Sequence, residues 1–514
     1  MYYCAENTRY EDIPVKSDYR GIKLTWRDVS LSVSLLICGF LYFDLISFPG
    51  LGAGVTAFSA VLCTVTWVYL KSRGYRQDKR SLVCMVLLIV SSVQFLIFDS
   101  TVEKSLNFIF VSLLFVYWTA LFTKRTLDDT LSVYAAGDLI RQFFVTPFSN
   151  FGSCPGIILT AVSGKSIWKK ILTAVLAVAA AAPLLFIVVG LLMSADGSFA
   201  RMITSAGKFF SEDMIEMLLK FILGIPVAFY LCGLIFGDAA GLNGRSSRES
   251  FEKCAGKVAL IPGTAVCSVL FVLCVIYAVF ISLQAYELFG LAWGNVHADA
   301  TYSSYARTGF FQLCTVAVIN LAVAVSGYVF ARDRKGMSLR IGVLALSAVT
   351  LVLSAVDLGK MALYVHYYGL TLLRVYASAF MAFLAFVFII ISLRQIRRFN
   401  SVRVFIILSA AFFILFSFAG ISGRIAEYDI QRYEAGTLKM MDTAAMIQLS
   451  DEAVPYLYEE YKKTDDKKMK DRIYYAAVEN HQEKADSGWR NFNAAQKKAD
   501  GIRKKIVRKY RQGR

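Results

Sequence analysis

Hydrophobic residues in this sequence fall into long, nearly charge-free blocks separated by short polar segments. A helix needs roughly 20 mostly apolar residues to cross the hydrocarbon core of a bilayer. Eleven blocks approach that length: Val29–Phe48, Leu51–Leu70, Ser81–Phe98, Ser105–Phe122, Ile171–Met193, Met217–Phe236, Val258–Gln284, Gly309–Phe330, Ile341–Val365, Thr371–Leu393 and Val404–Ala419. The pattern predicts an all-α fold, a polytopic transmembrane helix bundle of about 11 spans with a soluble helical segment at its C-terminus.

The blocks divide the chain into five predicted regions. These are a polar cytoplasmic N-terminus (1–28), a four-span membrane unit (29–122), a cytoplasmic segment (123–170), a seven-span membrane domain (171–419) and a helical, basic tail (420–514). Segment 123–170 mixes apolar residues with Pro147 and Pro155, so an interfacial amphipathic helix followed by a re-entrant turn fits it, as does a surface helix lying against the bundle. No cleavage site follows the first block, which we expect to stay as an anchor.

Composition and charge agree with a membrane protein and indicate its orientation. Of the 514 residues 57% are hydrophobic, and the net charge is +17. Cytoplasmic loops are enriched in Lys and Arg. With the N-terminus inside, the predicted inner segments hold 28 basic residues and the short outer ones hold four. We therefore expect a plasma membrane protein with its N-terminus inside and its tail outside, and no nucleic-acid partner.

The tail is polar, rich in tyrosine and predicted to be helical. Apolar residues recur at helical spacing in its last part, which ends in "RKKIVRKYRQGR", a run without any acidic residue. Such a run is usually a solvated helix face. On the outer side it would attract anionic lipid or anionic wall polymer.

Several ionisable residues lie towards the predicted outer ends of spans. Asp357 is sixteen residues into its block, a rise of about 24 Å, which places it near the outer interface beside Lys360. Interfacial snorkelling with a packing ion pair explains such charges. The functional alternative is a polar cavity open to the outside. Its candidate lining is Asp44, Lys220, Asp357, Lys360 and Arg374.

A second candidate site precedes the eighth span, in "TYSSYARTGFF". Tyr302, Tyr305 and Arg307 fit an aromatic belt, or they bind an anionic headgroup through the arginine. The three histidines are far apart and lack metal-ligand spacing, and the phosphate-loop-like "SGKS" has Leu159 where a Walker motif needs glycine. The sequence thus predicts no catalytic residue, no metal and no cofactor.

Several stretches resemble a known family. They are "SADGSF" (Ser194–Phe199), "TYSSYARTGFFQL" (Thr301–Leu313), "YYGLTLLRVYA" (Tyr367–Ala377), "RIAEYDIQRYEAGTLKMMD" (Arg424–Asp442) and "LSDEAVPYL" (Leu449–Leu457). Together they look like the bacterial domain-of-unknown-function 4173 (DUF4173) family and its 4153-type relatives, over residues 200–460. One departure is Asp429, where the family has an asparagine-like residue. The resemblance implies an uncharacterised protein of the bacterial cell envelope and supplies no reaction.

Three classes of function remain. The first is a non-enzymatic envelope transporter or sensor, whose outer cavity binds a small anionic or lipid-like ligand beneath the tail. The second is a membrane-embedded transferase with a lipid-linked substrate. Such enzymes usually carry acidic residues in a sizeable first outer loop, and "PGLGAG" is short and uncharged. The third is a scaffold that acts through its tail. The lipid bilayer is the one partner that all three require.

Overall fold

The computed structural model describes residues 14–46, 50–128, 131–161, 166–207, 211–242, 261–292, 301–332, 336–438, 442–479 and 488–512. Nine helices in these ranges are long and apolar enough to cross a membrane, and ten if one bent pair forms a single span. The prediction of an all-α polytopic bundle is therefore confirmed. We describe it as two helix bundles and a tail.

The first bundle is built around the first four spans. Its helices are α1 (Trp26–Leu45), α2 (Ala53–Ser72), α3 (Lys79–Ile97), α4 (Thr101–Phe122), α5 (Tyr134–Ile140), α6 (Thr146–Ser149), α7 (Ser153–Ala161), α8 (Ser166–Ala195), α9 (Gly197–Gly207) and α10 (Glu212–Ala240), with a π-helical turn at Arg141–Val145. Aromatic residues that are almost fully buried, such as Phe95, Trp118 and Phe236, form its core.

The second bundle contains α11 (Gly263–Ala292), α12 (Thr301–Phe330), α13 (Met337–Tyr368), α14 (Leu372–Ile396) and α15 (Ser401–Ser417). Two apolar clusters hold α11 to α14 together, one around Phe310, Leu353 and Met381 and the other around Leu270 and Leu346. Side chains also define the helix starts. Thr371 and Asn400 each accept a hydrogen bond from a first-turn amide, which satisfies a donor that the helix leaves free.

The tail is a small helical unit with its own core. It consists of α16 (Ile421–Glu434), α17 (Thr443–Ile447), a 3₁₀ turn (Asp451–Ala453), α18 (Val454–Lys463), α19 (Lys467–Tyr474), a π-helical turn (Tyr475–Glu479), a 3₁₀ turn (Gly488–Asn491) and α20 (Ala494–Gln512). Ile430, Leu457, Met469, Ile473 and Ile506 form the core. The prediction of a helical tail thus agrees with the structure.

Two predicted spans differ from the helices found. Block Ile171–Met193 lies within α8. The part of this helix whose side chains are described, Leu184–Ala195, is apolar but too short to count as a span. The last block is the 17-residue helix α15, which is followed after a bend of 60° by α16. The bend occurs because Gly420 adopts a left-handed conformation (φ +60°) and the following helix is polar.

A short β-hairpin precedes the first span, an element that the hydrophobic pattern did not indicate. Strands β1 (Pro14–Tyr19) and β2 (Ile22–Thr25) are antiparallel, and the two turn residues, Arg20 and Gly21, both have positive φ. That turn geometry matches the twist of paired strands. Tyr19 donates a hydrogen bond to the Gly152 carbonyl oxygen, which ties the hairpin to the segment before α7.

The described part of segment 123–170 packs against α1 and α10. Asn150 and Ser153 are fully buried there, and the Gln142 side chain donates to Asp238 of α10 (3.0 Å). Gly233 of α10 leaves no room for a side chain, because a Cβ would lie 2.5 Å from the Pro147 carbonyl oxygen. Of the two structures considered for this segment, helices lying against the bundle fit these contacts, and its depth in a bilayer stays a prediction.

Two facing glycines mark a very close contact between α1 and α10. A Cβ on Gly39 would lie 2.1 Å from the Gly224 carbonyl oxygen, and backbone cannot move aside as a side chain can. We predict that Gly39→Ala lowers the stability of the fold by about 1–3 kcal/mol, the usual cost of overpacking. Thermal unfolding in detergent measures it.

The matched control is Gly359→Ala in α13, where the added Cβ meets nothing within 4 Å. Because alanine favours the helix, this variant should unfold at or slightly above the wild-type temperature. Equal unfolding temperatures for the two variants would contradict the close α1–α10 packing.

Candidate functional site

The tail contacts the loops at one end of both bundles. The Phe492 carbonyl oxygen accepts a hydrogen bond from the Ala53 amide (2.9 Å) at the start of α2. The Glu452 carboxylate accepts from the Asp99 amide (3.0 Å), between α3 and α4. On the second bundle, Asp429 accepts from the Leu370 amide (2.8 Å), between α13 and α14. We call this set of contacts the junction. It lies between the described residues of the tail (421–438, 442–479 and 488–512) and loop residues 50–52, 98–100 and 366–371.

A buried ion pair lies at the centre of the junction. Lys104, in the first turn of α4, contacts Asp99 at 3.1 Å, and their side chains are only 4% and 5% exposed. Asn493 of the tail donates to the same carboxylate oxygen of Asp99 (2.9 Å). A buried ion pair needs such additional hydrogen bonds to offset the loss of hydration. The tail therefore completes the environment of a charge pair that belongs to the first bundle.

A carboxylate of the tail, that of Glu452, also lies beside this ion pair. Glu452 is buried, and burial raises the pKa of its carboxyl above the usual range, although the hydrogen bond from the Asp99 amide opposes the shift and the nearby Asp99 carboxylate adds to it. Across from the tail, Tyr376 of α14 donates to Glu103 of α4 (3.2 Å) and shares a hydrogen bond with Ser100 (3.3 Å). Groups from both bundles and from the tail thus meet at one place.

Asp44 and Lys220, two of the predicted cavity residues, do contact each other. Lys220 of α10 lies 3.1 Å from Asp44 of α1 and 2.6 Å from Glu216. The other oxygen of Asp44 accepts from Arg490 of the tail (3.0 Å). These side chains are partly exposed, so each pair contributes little stability, typically 0–1 kcal/mol. Their arrangement orients the tail over the loop between α1 and α2.

That loop carries glycines because the tail runs directly across it. A Cβ on Gly52 would lie 2.5 Å from the Asn491 carbonyl carbon, and one on Gly50 would lie 2.6 Å from the Asn491 side-chain nitrogen. A Cβ on Gly54 would meet the Leu45 carbonyl oxygen at 2.0 Å. The glycines of "FPGLGAG" therefore serve two purposes. They leave room for the tail backbone, and they let α1 and α2 approach closely.

Two of the stretches that carry the family resemblance meet each other in the junction. Arg432 of α16 donates to the carbonyl oxygens of Val365 (3.2 Å) and His366 (2.7 Å), at the end of α13. Asp429 accepts from the Leu370 amide, a bond that an asparagine at this position could also accept. The "YYGLT" and "YDIQR" elements are therefore the two sides of one docking contact.

Arg374, another predicted cavity residue, supports the same hairpin. Its guanidinium donates to the carbonyl oxygens of Tyr368 (3.1 Å) and Gly369 (2.6 Å) and lies over the Tyr364 ring at 4.2 Å. Gly369 has a φ of +75°, which a glycine adopts without strain. In the structure, Arg374 thus fixes the turn that receives α16.

Asp357 and Lys360 lie in a different environment, inside the second bundle. Asp357 is fully buried and Lys360 is 9% exposed. Lys360 donates to Gln284 of α11 (2.6 Å), and the Cys314 thiol of α12 lies 3.9 Å from Asp357. The described contacts therefore group the five candidates into three places: Asp44 with Lys220, Asp357 with Lys360, and Arg374 at the hairpin. A single cavity lined by all five stays a prediction.

The second predicted site falls where the structure describes little. Tyr302, Tyr305 and Arg307 belong to the first turns of α12, but their side chains lie outside the described residues, as do His297 and His481. His366 is exposed. Within the ranges that the structure describes, no three His, Cys, Asp or Glu side chains are placed to hold a metal ion.

Several residues of the junction carried little signal in the sequence. Asp99 lies in the loop before α4 and Lys104 in the first turn of that helix, and this spacing alone does not predict a buried pair. Asp451 and Glu452 lie in the 3₁₀ turn before α18, where acidic residues suit the positive end of a helix dipole. In the structure Asp451 pairs with Arg503 of α20, and Glu452 points to Asp99. Asn493 is an ordinary polar residue, and its role depends on the tertiary contact alone.

A known family model matches most of the chain. Residues 82–460 match the model described as Domain of unknown function (DUF4153). The match begins within α3 and ends in α18, so it extends further towards the N-terminus than the resemblance did. It includes Asp99, Glu452 and the contact of α16 with the second bundle, whereas loop residues 50–52 and tail residues 488–512 lie outside it. It supports the 4153-type relatives, and membership of the 4173 family stays an expectation. The searches of curated proteins and of solved structures found no match.

The close approach at Gly52 gives a direct test of docking. We predict that Gly52→Ala displaces the tail segment around Asn491, because the new Cβ would overlap its backbone. Amide hydrogen exchange of residues 490–500 should rise several-fold. Gly501→Ala in α20, where a Cβ meets nothing within 4 Å, is the control and should leave exchange unchanged. A wild-type exchange pattern in Gly52→Ala would exclude this contact.

Glu452 makes docking depend on pH. Because burial raises its pKa, the docked tail binds a proton more tightly than the undocked tail. Its contribution to docking is therefore largest below the ordinary glutamate pKa of about 4.3 and declines as the pH rises through the raised value. We predict that amide protection of α18, corrected for intrinsic exchange, falls over this interval.

Glu452→Gln keeps an oxygen acceptor for the Asp99 amide and should flatten this decline. The control is Glu459→Gln on the exposed side of α18, which should keep the wild-type slope. The same slope in all three proteins would assign the pH dependence to other groups.

Proposed function

The chain belongs to the DUF4153 family, and on the contacts of its junction we propose that it is a non-enzymatic membrane sensor. The observation that carries this proposal is that the tail is bound to both bundles at once. It contacts the first bundle through Asp99 and Asp44 and the second through Leu370 and the end of α13. A movement of one bundle relative to the other therefore requires the tail to change its contacts.

Described side chains also connect the two bundles directly at this end, among them the rings of Phe98 and Phe418, whose centroids lie 6.0 Å apart. Ser100 and Glu103 of the first bundle contact Tyr376 of the second, and at the opposite end Asn400 donates to the Leu131 carbonyl oxygen (2.9 Å). A protein that responds to a ligand or to the bilayer needs an element with two arrangements. We propose that the tail, docked or released, is that element.

We propose that the tail lies outside a cytoplasmic membrane. It covers the loops that follow α1, α3 and α13, whereas basic residues such as Arg73, Lys124 and Arg398 flank the loops that follow α2, α4 and α14. Under the positive-inside rule the basic loops face the cytoplasm. This orientation is the one that the sequence predicts, and it rests on the same rule.

The last helix supplies a surface for an anionic partner. Ala499 and Ile506 of α20 are buried against the tail core, and Arg503 pairs with Asp451. The opposite side presents exposed cations: Lys497, Lys498, Lys504, Lys505, Arg508, Lys509 and Arg511. We propose that anionic lipid headgroups or wall polymer bind this face and so influence the docked state.

A coupling experiment tests the sensor. Asn493→Ala removes a hydrogen bond to a charged group, a loss of about 1.5–3 kcal/mol at the first bundle. We predict that hydrogen exchange of residues 365–371 on the second bundle also rises several-fold, because the tail transmits the loss. Asp465→Ala changes a fully exposed tail residue and is the control. A response confined to residues 488–512 would contradict a tail that couples the two bundles.

A further inference from the structure

A large apolar groove lies between the two bundles. It has a volume of about 820 Å³ and is lined by α4 and α5 of the first bundle and by α14 and α15 of the second. Phenylalanine rings form much of its wall. Phe110 and Phe413 face each other across the bundles with centroids 4.7 Å apart, and Phe383 and Phe412 lie at 5.2 Å.

The groove is apolar, as bilayer hydrocarbon is, and it extends over most of the depth of the hydrocarbon core. Its wall on α4 runs from Val102 to Tyr117, a rise of about 22 Å, compared with about 30 Å for the whole hydrocarbon core. Water does not fill an apolar space of this kind, and an empty one forfeits the dispersion contacts of its walls. In a membrane, the acyl chains of lipids are the apolar groups available to fill this space.

One end of the groove is polar and carries a buried carboxyl group. Glu103 lines it there and is 2% exposed. One of its carboxylate oxygens accepts from Tyr376, while the other has no hydrogen-bond partner among the described residues. A buried acceptor without a donor is costly. Glu452 adds a further carboxylate close to Glu103, so a cationic donor suits this end better than an anion.

We propose that the groove binds one membrane lipid, with a hydrocarbon chain along the phenylalanine wall and an ammonium-bearing head donating to Glu103. The second oxygen of Glu103 then has its donor, and the chain fills the space between the bundles. This site is separate from the basic face of α20, which attracts anions. Lipid binding here does not require the tail to act as a sensor.

The test uses the full chain in vesicles of equal phosphatidylethanolamine and phosphatidylcholine. Only the first lipid has an ammonium group that can donate hydrogen bonds. The protein is extracted into mild detergent and washed with lipid-free detergent. Mass spectrometry then counts the phospholipid molecules that each chain retains. The expected result is one phospholipid per chain, enriched several-fold in phosphatidylethanolamine. Retention of no lipid, or of both lipids equally, overturns the proposal.

Two variants locate the site. Ala379→Trp places an indole in the groove and should abolish retention, whereas Val275→Trp on the exposed face of α11 should retain the lipid as wild type does. Glu103→Gln should retain a lipid but lose the preference for phosphatidylethanolamine, a readout that stands even if Ala379→Trp fails to fold. Equal loss in Ala379→Trp and Val275→Trp, or an unchanged preference in Glu103→Gln, overturns the proposal.

Discussion

The ion pair between Lys104 and Asp99 sets a requirement that the rest of the junction meets. Two charges buried at a helix end are tolerated only when further polar groups replace the water they have lost. The first bundle supplies the pair, and the tail supplies Asn493 and places Glu452 on the adjacent amide. Because these groups come from residues more than 350 positions away in the sequence, the environment of the pair is complete only with the tail in place.

The same contact explains why the tail joins two bundles. From Asn493 the tail reaches across the glycine loop of the first bundle, and from Asp429 and Arg432 it holds the hairpin that begins α14. Between the bundles lies an apolar groove whose polar end, at Glu103 and Tyr376, adjoins the tail. A ligand in that groove and a docked tail would therefore both influence how the two bundles are placed relative to each other. The ligand would act from within the membrane and the tail from its surface.

The sequence predicted the membrane helices well because burial in lipid imposes a long apolar block that is visible without tertiary information. The sequence placed Asp44 and Lys220 towards the same predicted side of the membrane, but it did not predict that the two side chains form a pair. The roles of Asn493, Gly52 and Glu452 did not follow, since they depend on which surface the tail meets. Arg374 and the pair Asp357 and Lys360 look alike in sequence, yet one supports a turn and the other two are buried among α11, α12 and α13.

Docking of the tail on the loop between α1 and α2 can be tested by a disulfide between them. A Cβ at Gly50 would lie 2.9 Å from the Asn491 side-chain carbon, so cysteines at both positions are within reach of each other. We predict that Gly50→Cys combined with Asn491→Cys forms this bond in intact membranes under mild oxidation, as detected by mass spectrometry of the linked peptides. Efficient linkage would place the tail on the helix ends. Absence of the linked peptide, with both thiols still reactive towards a maleimide, would contradict docking.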